Sequence, residues 1–263
     1  MYISRVISVW FNNITNSTRN IVNSTYGIQN NKNASIYFKQ APVQDTFQNN
    51  SPEKFFNEIA IRKLIAQNPE ITNILKANKI PLNLNMKELQ ELKTGHCKAT
   101  QDIAVAIYKN LPKVLTKEIN IADLKDGAFL HDFGKVLIPP AILNKNTELT
   151  ETEHKIMDLH TELGYQLLKN ANINENVLKM VRMHHSNYEN NINGKEFVPD
   201  VSLQIVNLAD KFSALKEKRC YKTTFSTNKA LAIIYQDVQD GKVHPMLYSA
   251  LIKAINNNDI PKN

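Results

Sequence analysis

From residue 51 onward, apolar residues recur at helical spacing, and nearly every gap between such runs contains proline, glycine or asparagine. No stretch shows a sustained alternation of period two, and no segment repeats. A chain patterned in this way buries helical stripes against one another, so the expected fold class is all-α. The stretch SPEKFFNEIAIRKLIAQ opens on Ser-Pro and a glutamate, a helix-start signature, and spaces Phe55, Ile59, Leu64 and Ile65 on a helical period. NPEITNILKANKI reads as a second short helix, and Pro81 with residues 82–85 as a linker. Residues 86–110 form the strongest candidate, carrying Leu89, Leu92, His96, Ile103 and Ile107 along one stripe. Further helices are expected over 121–131, 151–169, 176–185, 201–216, 226–240 and 245–256.

This pattern divides the 263 residues into three parts. Residues 1–50 are polar, rich in Asn, Ser and Thr, and lack a sustained period, which predicts a poorly structured extension. Residues 51–85 form a short helical region, and 86–257 the main domain. No run approaches the roughly 18 apolar residues of a membrane-spanning helix, and the opening MYISRVISVWF lacks the features of a signal peptide. The 2 cysteines, Cys97 and Cys220, are too few for a disulfide framework and suggest buried thiols in a reducing, cytoplasmic compartment. Formal charge is +7, but the lysines are scattered. That balance would help an anionic small molecule approach without the continuous basic track that a nucleic-acid polymer needs. Asparagine is abundant throughout, and a compositional bias accounts for it without a function. The N-terminal region could dock a protein partner.

Of 7 histidines, five occupy notable places. His96 lies in the helix expected over 86–110, His131 and Asp132 end the helix begun at Ile121, His160 lies inside the next long one, and His184-His185 close another. Asp210 sits among Ile205, Leu208, Ala209 and Phe212, and a carboxylate in so apolar a helix is costly unless something binds it. Taken singly, a helix histidine is a packed or hydrogen-bonded core residue. Together, imidazoles and carboxylates on facing helices can build a metal site for iron, manganese, zinc or a similar ion.

The motifs TGHCKATQDIA, FLHDFGKVLIP, HTELGYQLL, MVRMHH, NLADKFSALKEKRCYKTTFS and DGKVHPMLYSAL, in that order, resemble the HD superfamily of metal-dependent phosphohydrolases, and within it the HD-GYP branch. The likeness runs from about Met86 to Ile255 and implies an HD-domain helical bundle. It makes His96, His131, Asp132 and Asp210 the core metal ligands, joined by His160, His184 and His185 where two ions are bound, with Asp132 bridging them. Lys135 would face the substrate phosphate, and Arg219 and Lys222 a second one. Asp132 and Lys135 are thereby the catalytic candidates, whereas His154 and His244 match no ligand position and are left to the surface.

The same resemblance implies two divalent ions, iron or manganese first, with zinc, nickel or magnesium as alternatives. It implies hydrolysis of a cyclic or short linear dinucleotide, with cyclic di-GMP as the default substrate, by water activated between the ions. A phosphohydrolase for another nucleotide or an alarmone, and a non-catalytic metal-binding sensor module, stand as alternatives. The sequence departs from the branch after the paired histidines. Ser186 replaces a glutamate, HHSNYENNINGKEF lacks the Gly-Tyr-Pro element, and Cys220 stands where proline is usual. Members with three ions place a glutamate one turn before the first histidine; here that residue is Leu92, and a continuous helix would aim Glu91 elsewhere.

Overall fold

A computed structural model describes residues 51–186, 200–217 and 224–260, all within one compact unit spanning Gln48–Asn263. The extension expected over residues 1–50 lies outside the described residues. Among those described there is no β-strand. In chain order the α-helices are α1 (Glu58–Ala66), α2 (Pro69–Ala77), α3 (Met86–Thr94), α4 (His96–Asn110), the single turn α5 (Lys113–Thr116), α6 (Ile121–Leu130), the single turn α7 (Pro140–Leu143), α8 (Glu151–Leu168), α9 (Glu175–Met183), α10 (Val201–Lys216), α11 (Thr227–Gln239) and α12 (Pro245–Asn256). Two 3₁₀ segments, Pro52–Phe55 and Phe133–Leu137, complete the order.

Two long helices expected from periodicity are broken. The first divides at Asn57, whose side chain accepts a hydrogen bond from the Ala60 backbone N–H at 2.9 Å and so starts α1 afresh after the 3₁₀ segment. The helix expected over 86–110 divides at Gly95, with φ −108° and ψ −100°. A Cβ there would stand 2.8 Å from the Glu91 carbonyl oxygen, so a side chain has no room at the break. The apolar stripe crosses the break unchanged, and periodicity alone therefore does not reveal it.

The abundance of asparagine has a local use. Asn57, Asn68, Asn85, Asn120 and Asn174 each cap a helix with a side-chain oxygen, and Asp200 and Ser226 do the same for α10 and α11. Thr150 and Glu153 form a reciprocal capping box at α8. Each such cap is worth about 1 kcal/mol. His244 caps α12 through Nδ1, which accepts from the Met246 N–H at 3.0 Å; it is half-buried, not a free surface residue as expected.

α4 lies at the centre and packs against α10, α6 and α12. Ile103, Ala104 and Ile107 of α4, Leu124 and Ala128 of α6, and Leu203, Val206 and Phe212 of α10 are buried in one continuous core. Each large aliphatic or aromatic side chain buried there contributes roughly 1.5–3 kcal/mol. The region 51–85 joins the same core. Phe56 packs on Phe129 and Phe133, with ring centroids 5.1 and 5.2 Å apart, and the Asn85 N–H donates to the Val136 carbonyl at 2.8 Å. The buried Asn68 donates to both the backbone and the side-chain oxygen of Gln166 in α8, tying α2 to the domain.

The His131-Asp132 step sits where α6 ends and the 3₁₀ segment begins. That segment lies directly on α8. A Cβ placed on Gly134 would come within 2.0 Å of the His160 carbonyl oxygen and 2.5 Å of the Gly164 nitrogen, both backbone atoms that cannot swing aside. Glycine at 134 is thus what lets α8 approach closely enough to bring His160 beside Asp132. Gly134→Ala is expected to cost about 3 kcal/mol or more, checked by thermal unfolding. A variant as stable as the parent would refute this role for the contact.

Candidate metal centre

Asp132 is only 2% exposed, and its two carboxylate oxygens face different partners. Oδ2 lies 2.5 Å from Lys135 Nζ, 3.3 Å from His131 Nε2 and 3.5 Å from His96 Nε2. Oδ1 lies 3.3 Å from His160 Nε2 and 3.9 Å from His184 Nε2. Asp210, reaching in from α10, places Oδ1 2.9 Å from His96 Nε2 and 3.7 Å from His131 Nε2. His185 Nε2 lies 3.2 Å from His160 Nε2, which is itself 3.3 Å from His184 Nε2. All seven side chains singled out as ligands are therefore gathered in one place. They form a group of His96, His131 and Asp210 and a group of His160, His184 and His185, with Asp132 between.

Backbone geometry aims three of the imidazoles. His131, His160 and His184 each set Nδ1 against the carbonyl oxygen three residues earlier, of Ala128 at 2.8 Å, Met157 at 2.6 Å and Val181 at 2.9 Å. A carbonyl only accepts, so Nδ1 carries a proton in each ring, and in the neutral rings of His160 and His184 Nε2 presents a lone pair. Two such lone pairs, on His160 and His184, face each other at 3.3 Å, and the buried His131 Nε2 makes no hydrogen bond among the described residues. Nitrogen lone pairs converging in this way repel unless a cation lies among them. The donor set, imidazoles with two carboxylates, therefore fits a divalent first-row metal, which would take the place of the proton on His131 Nε2.

Charge balance points the same way. Burial disfavours the charged forms of Asp132 and Asp210, yet Lys135 and His131 hold Asp132, and His131 and His96 hold Asp210, well below the usual carboxylate range. Burial likewise opposes the His131 imidazolium, but Asp132 and Asp210 prevail and push it up to about 10. Burial dominates at His160, lowering it to about 4 despite Asp132, and at His184, lowered further by the neighbouring imidazoles. The pair of buried carboxylates demands compensating positive charge on the His131 side, while the His160 and His184 side holds neutral donors.

The remaining candidates divide. Lys135 lies in the 3₁₀ segment rather than on a helical turn, and its ammonium pairs with Asp132 from the wall of the cavity above the ligands. Arg219 and Lys222, the Gly-Tyr-Pro-less loop and Cys220 lie outside the described residues. Cys97 is a buried free thiol, its ionisation pushed well up by burial. Above the ligands opens a cavity of about 480 Å³. Glu88, Glu91 and the exposed His154 also line it. Glu91 and the buried Leu92, both of α3, line this cavity together. Burial raises Glu88 despite the pull of Lys135.

Sequence reasoning missed a polar stripe on α10. Asn207 donates to the His184 carbonyl at 2.6 Å and clamps the paired-histidine turn, and Ser213 Oγ meets His96 Nδ1 at 3.2 Å. Asn207, Asp210 and Ser213 recur every third residue along α10. That spacing was the available signal.

Residues 94–215 match the HD domain family. Among curated proteins the chain is 30% identical over 162 residues to the 3'3'-cGAMP-specific phosphodiesterase 3 of Vibrio cholerae, covering 58% of this chain and 34% of that protein. It is 35% identical over 145 residues to the cyclic di-GMP phosphodiesterase response regulator RpfG of Xanthomonas campestris pv. campestris, covering 52% and 37%. The chain thus spans about a third of the length of these relatives. A solved structure of the L. monocytogenes phosphodiesterase PgpH HD domain in complex with cyclic-di-AMP aligns over 78% of this chain and 99% of its own at 18% identity and a TM-score of 0.47, too loose a likeness to carry weight. The matched span begins one residue before the Gly95 break and ends beyond Asp210, taking in all seven clustered side chains, and over this span the chain is similar to the HD domain family.

Proposed function

We propose that the chain is a metal-dependent phosphodiesterase that hydrolyses a cyclic or short linear dinucleotide, with cyclic di-GMP the first substrate to try. The observation that carries this reading is Asp132, whose Oδ2 faces the His96, His131 and Asp210 group while Oδ1 faces the His160, His184 and His185 group. Such a carboxylate suits a bridge between two divalent ions, iron or manganese before zinc, nickel or magnesium. Ions held there would supply Lewis acidity, making water nucleophilic at neutral pH and offsetting charge on the phosphate. Lys135, already paired with Asp132, would hold that carboxylate ionised and turn positive charge towards the phosphate oxygens. Arg219 and Lys222 belong to the same reading as contacts to a second phosphate. The cavity above the ligands, about 480 Å³, is of a size for a nucleotide.

The choice of substrate class is supported by the relatives, which are named as phosphodiesterases for 3'3'-cGAMP and cyclic di-GMP. Among the described residues no helix is long and apolar enough to cross a membrane. A cytoplasmic location is part of the proposal. A protein partner for the N-terminal region belongs to it as well.

The test is metal analysis of protein purified without chelator, with turnover of cyclic di-GMP, cyclic GMP-AMP and linear pGpG on the same sample. About two ions per chain with turnover, both lost in Asp132→Ala, are expected. Lys135→Ala is expected to keep the metal and lose about 10²–10³-fold in kcat. Two ions without turnover would shift the reading to another phosphorylated substrate or to a sensor. Fewer than one ion after reconstitution with manganese or reduced iron would overturn it.

Stability against pH provides a second check. In chelated protein the His131 imidazolium, raised to about 10, contributes stability that is full below the unfolded value of 6.5 and is lost as pH rises through about 10. His160, lowered to about 4, acts oppositely, because unfolding lets it take up a proton between 6.5 and about 4. The stability of the chelated chain, followed by thermal unfolding, is expected to peak near pH 6.5 and fall on both sides, by up to several kcal/mol on the alkaline side at about 1.4 kcal/mol per unit. Added Mn²⁺ should abolish the alkaline fall, since the ion takes the place of the His131 proton. An alkaline fall unaffected by Mn²⁺ would count against the site.

A further inference from the structure

His185 is the least anchored of the clustered imidazoles. His131, His160 and His184 are buried, and each rests a ring nitrogen on the carbonyl three residues earlier. His96 is buried too and is held from both sides, by Asp210 at one ring nitrogen and Ser213 at the other. His185 is exposed, and among the described residues its polar and ring contacts are with other imidazoles alone. Its Nε2 lies 3.2 Å from His160 Nε2, and its ring centroid 5.1 Å from that of His160 and 4.2 Å from that of His184. Where the ring stands is therefore set by the backbone that carries it.

That backbone lies just past the end of α9, where the last carbonyls have no partner within the helix. The Ser186 N–H closes the turn on the Met183 carbonyl at 2.8 Å. Asn207, from the middle of α10, then holds it from outside: its Nδ2 donates to the His184 carbonyl at 2.6 Å and, over a longer 3.4 Å, to the Ser186 carbonyl. Both acceptors are carbonyls, so the NH₂ side of the amide is the one that faces them. They belong to the residues before and after His185, and one amide group thus straddles the exposed ligand candidate. We infer that Asn207 is a positioning residue that places His185, and with it the half of the centre formed by His160, His184 and His185. The inference rests on the metal reading above and extends it to a residue outside the ligand set. Its consequence is selective. Loosening the turn displaces His185, whereas His160 is carried by α8 and the His184 ring is fixed on Val181 within α9. The group of His96, His131 and Asp210 does not use this turn, so one of two ions should weaken and the other remain.

The test uses the full chain and the variants Asn207→Ala, Asn207→Asp, His185→Ala and the double Asn207→Ala/His185→Ala. Asn207→Asp keeps the size of the side chain but, ionised, has no donor and sets a carboxylate against two carbonyls. Mn²⁺ binding is measured by calorimetry, coupling between bound ions by electron paramagnetic resonance, the turn by hydrogen exchange at the Ser186 amide in chelated protein, and folding by melting in chelator. In both Asn207 variants the affinity for one Mn²⁺ is expected to fall by about 10-fold or more while the other stays within about twofold of the parent. The signal of a coupled pair should give way to that of a lone ion, and Ser186 should exchange faster. The double variant should bind no more weakly than His185→Ala, because placement no longer matters once the ring is gone. Parental affinity for both ions in the two Asn207 variants would overturn the inference. So would losses that add in the double variant, or equal weakening of both ions with a lowered melting temperature, since those patterns mark general damage to the fold. A parent that takes up fewer than two Mn²⁺ ions would sink the two-ion reading and this inference with it, whereas two ions in the parent and in every Asn207 variant alike would remove the inference alone.

Discussion

The arrangement turns on a carboxylate kept almost wholly out of water. An ionised aspartate in that position is costly unless charge and hydrogen bonds are brought to it. Asp132 recruits both from across the chain: Lys135 from the next turn, His131 beside it, His96 from α4, His160 from α8 and His184 from the end of α9. Its two oxygens are divided between these partners, and that division gives the centre its two halves. The helices that carry the partners can pack only in ways that keep them around this carboxylate.

Backbone, more than side chains, delivers the required precision. The absence of a Cβ at Gly134 lets the segment after Asp132 rest on the main chain of α8. Carbonyls three residues back fix the rings of His131, His160 and His184. These are short-range constraints within rigid elements, so each ligand arrives already oriented, and little conformational entropy remains to be lost when an ion binds. α10 works differently, through a stripe of polar side chains along one face. Asn207 clamps the turn at His184, Asp210 enters the centre, and Ser213 meets the far nitrogen of His96.

The Gly95 break links fold and site. It ends α3, starts α4 on His96 and deprives that imidazole of a carbonyl within its own helix, while Glu88 and Glu91 of α3 line the cavity. The N-terminal helices α1 and α2 are not a separate appendage to this arrangement. Phe55 and Phe56 cover the ring of Phe133, next to Asp132, and Asn68 fastens α2 to α8 beyond His160.

Sequence by itself determined the helical class, the extent of α10 and α12, and the identity of the clustered residues. Periodicity is a local property, and the His-Asp, His-His and isolated aspartate signals survive in any register. It did not reveal the breaks at Asn57 and Gly95, because the apolar stripe continues through both and only capping and backbone sterics register the change. His154 matched no ligand position and was left to the surface, where it is indeed exposed at the wall of the cavity, whereas His244, also left there, is half-buried and caps α12. Ser213, Asn207 and the division of the Asp132 oxygens were decided only by tertiary structure. Each depends on which atoms of segments far apart in sequence come within hydrogen-bonding distance, and helix packing sets that where residue spacing does not.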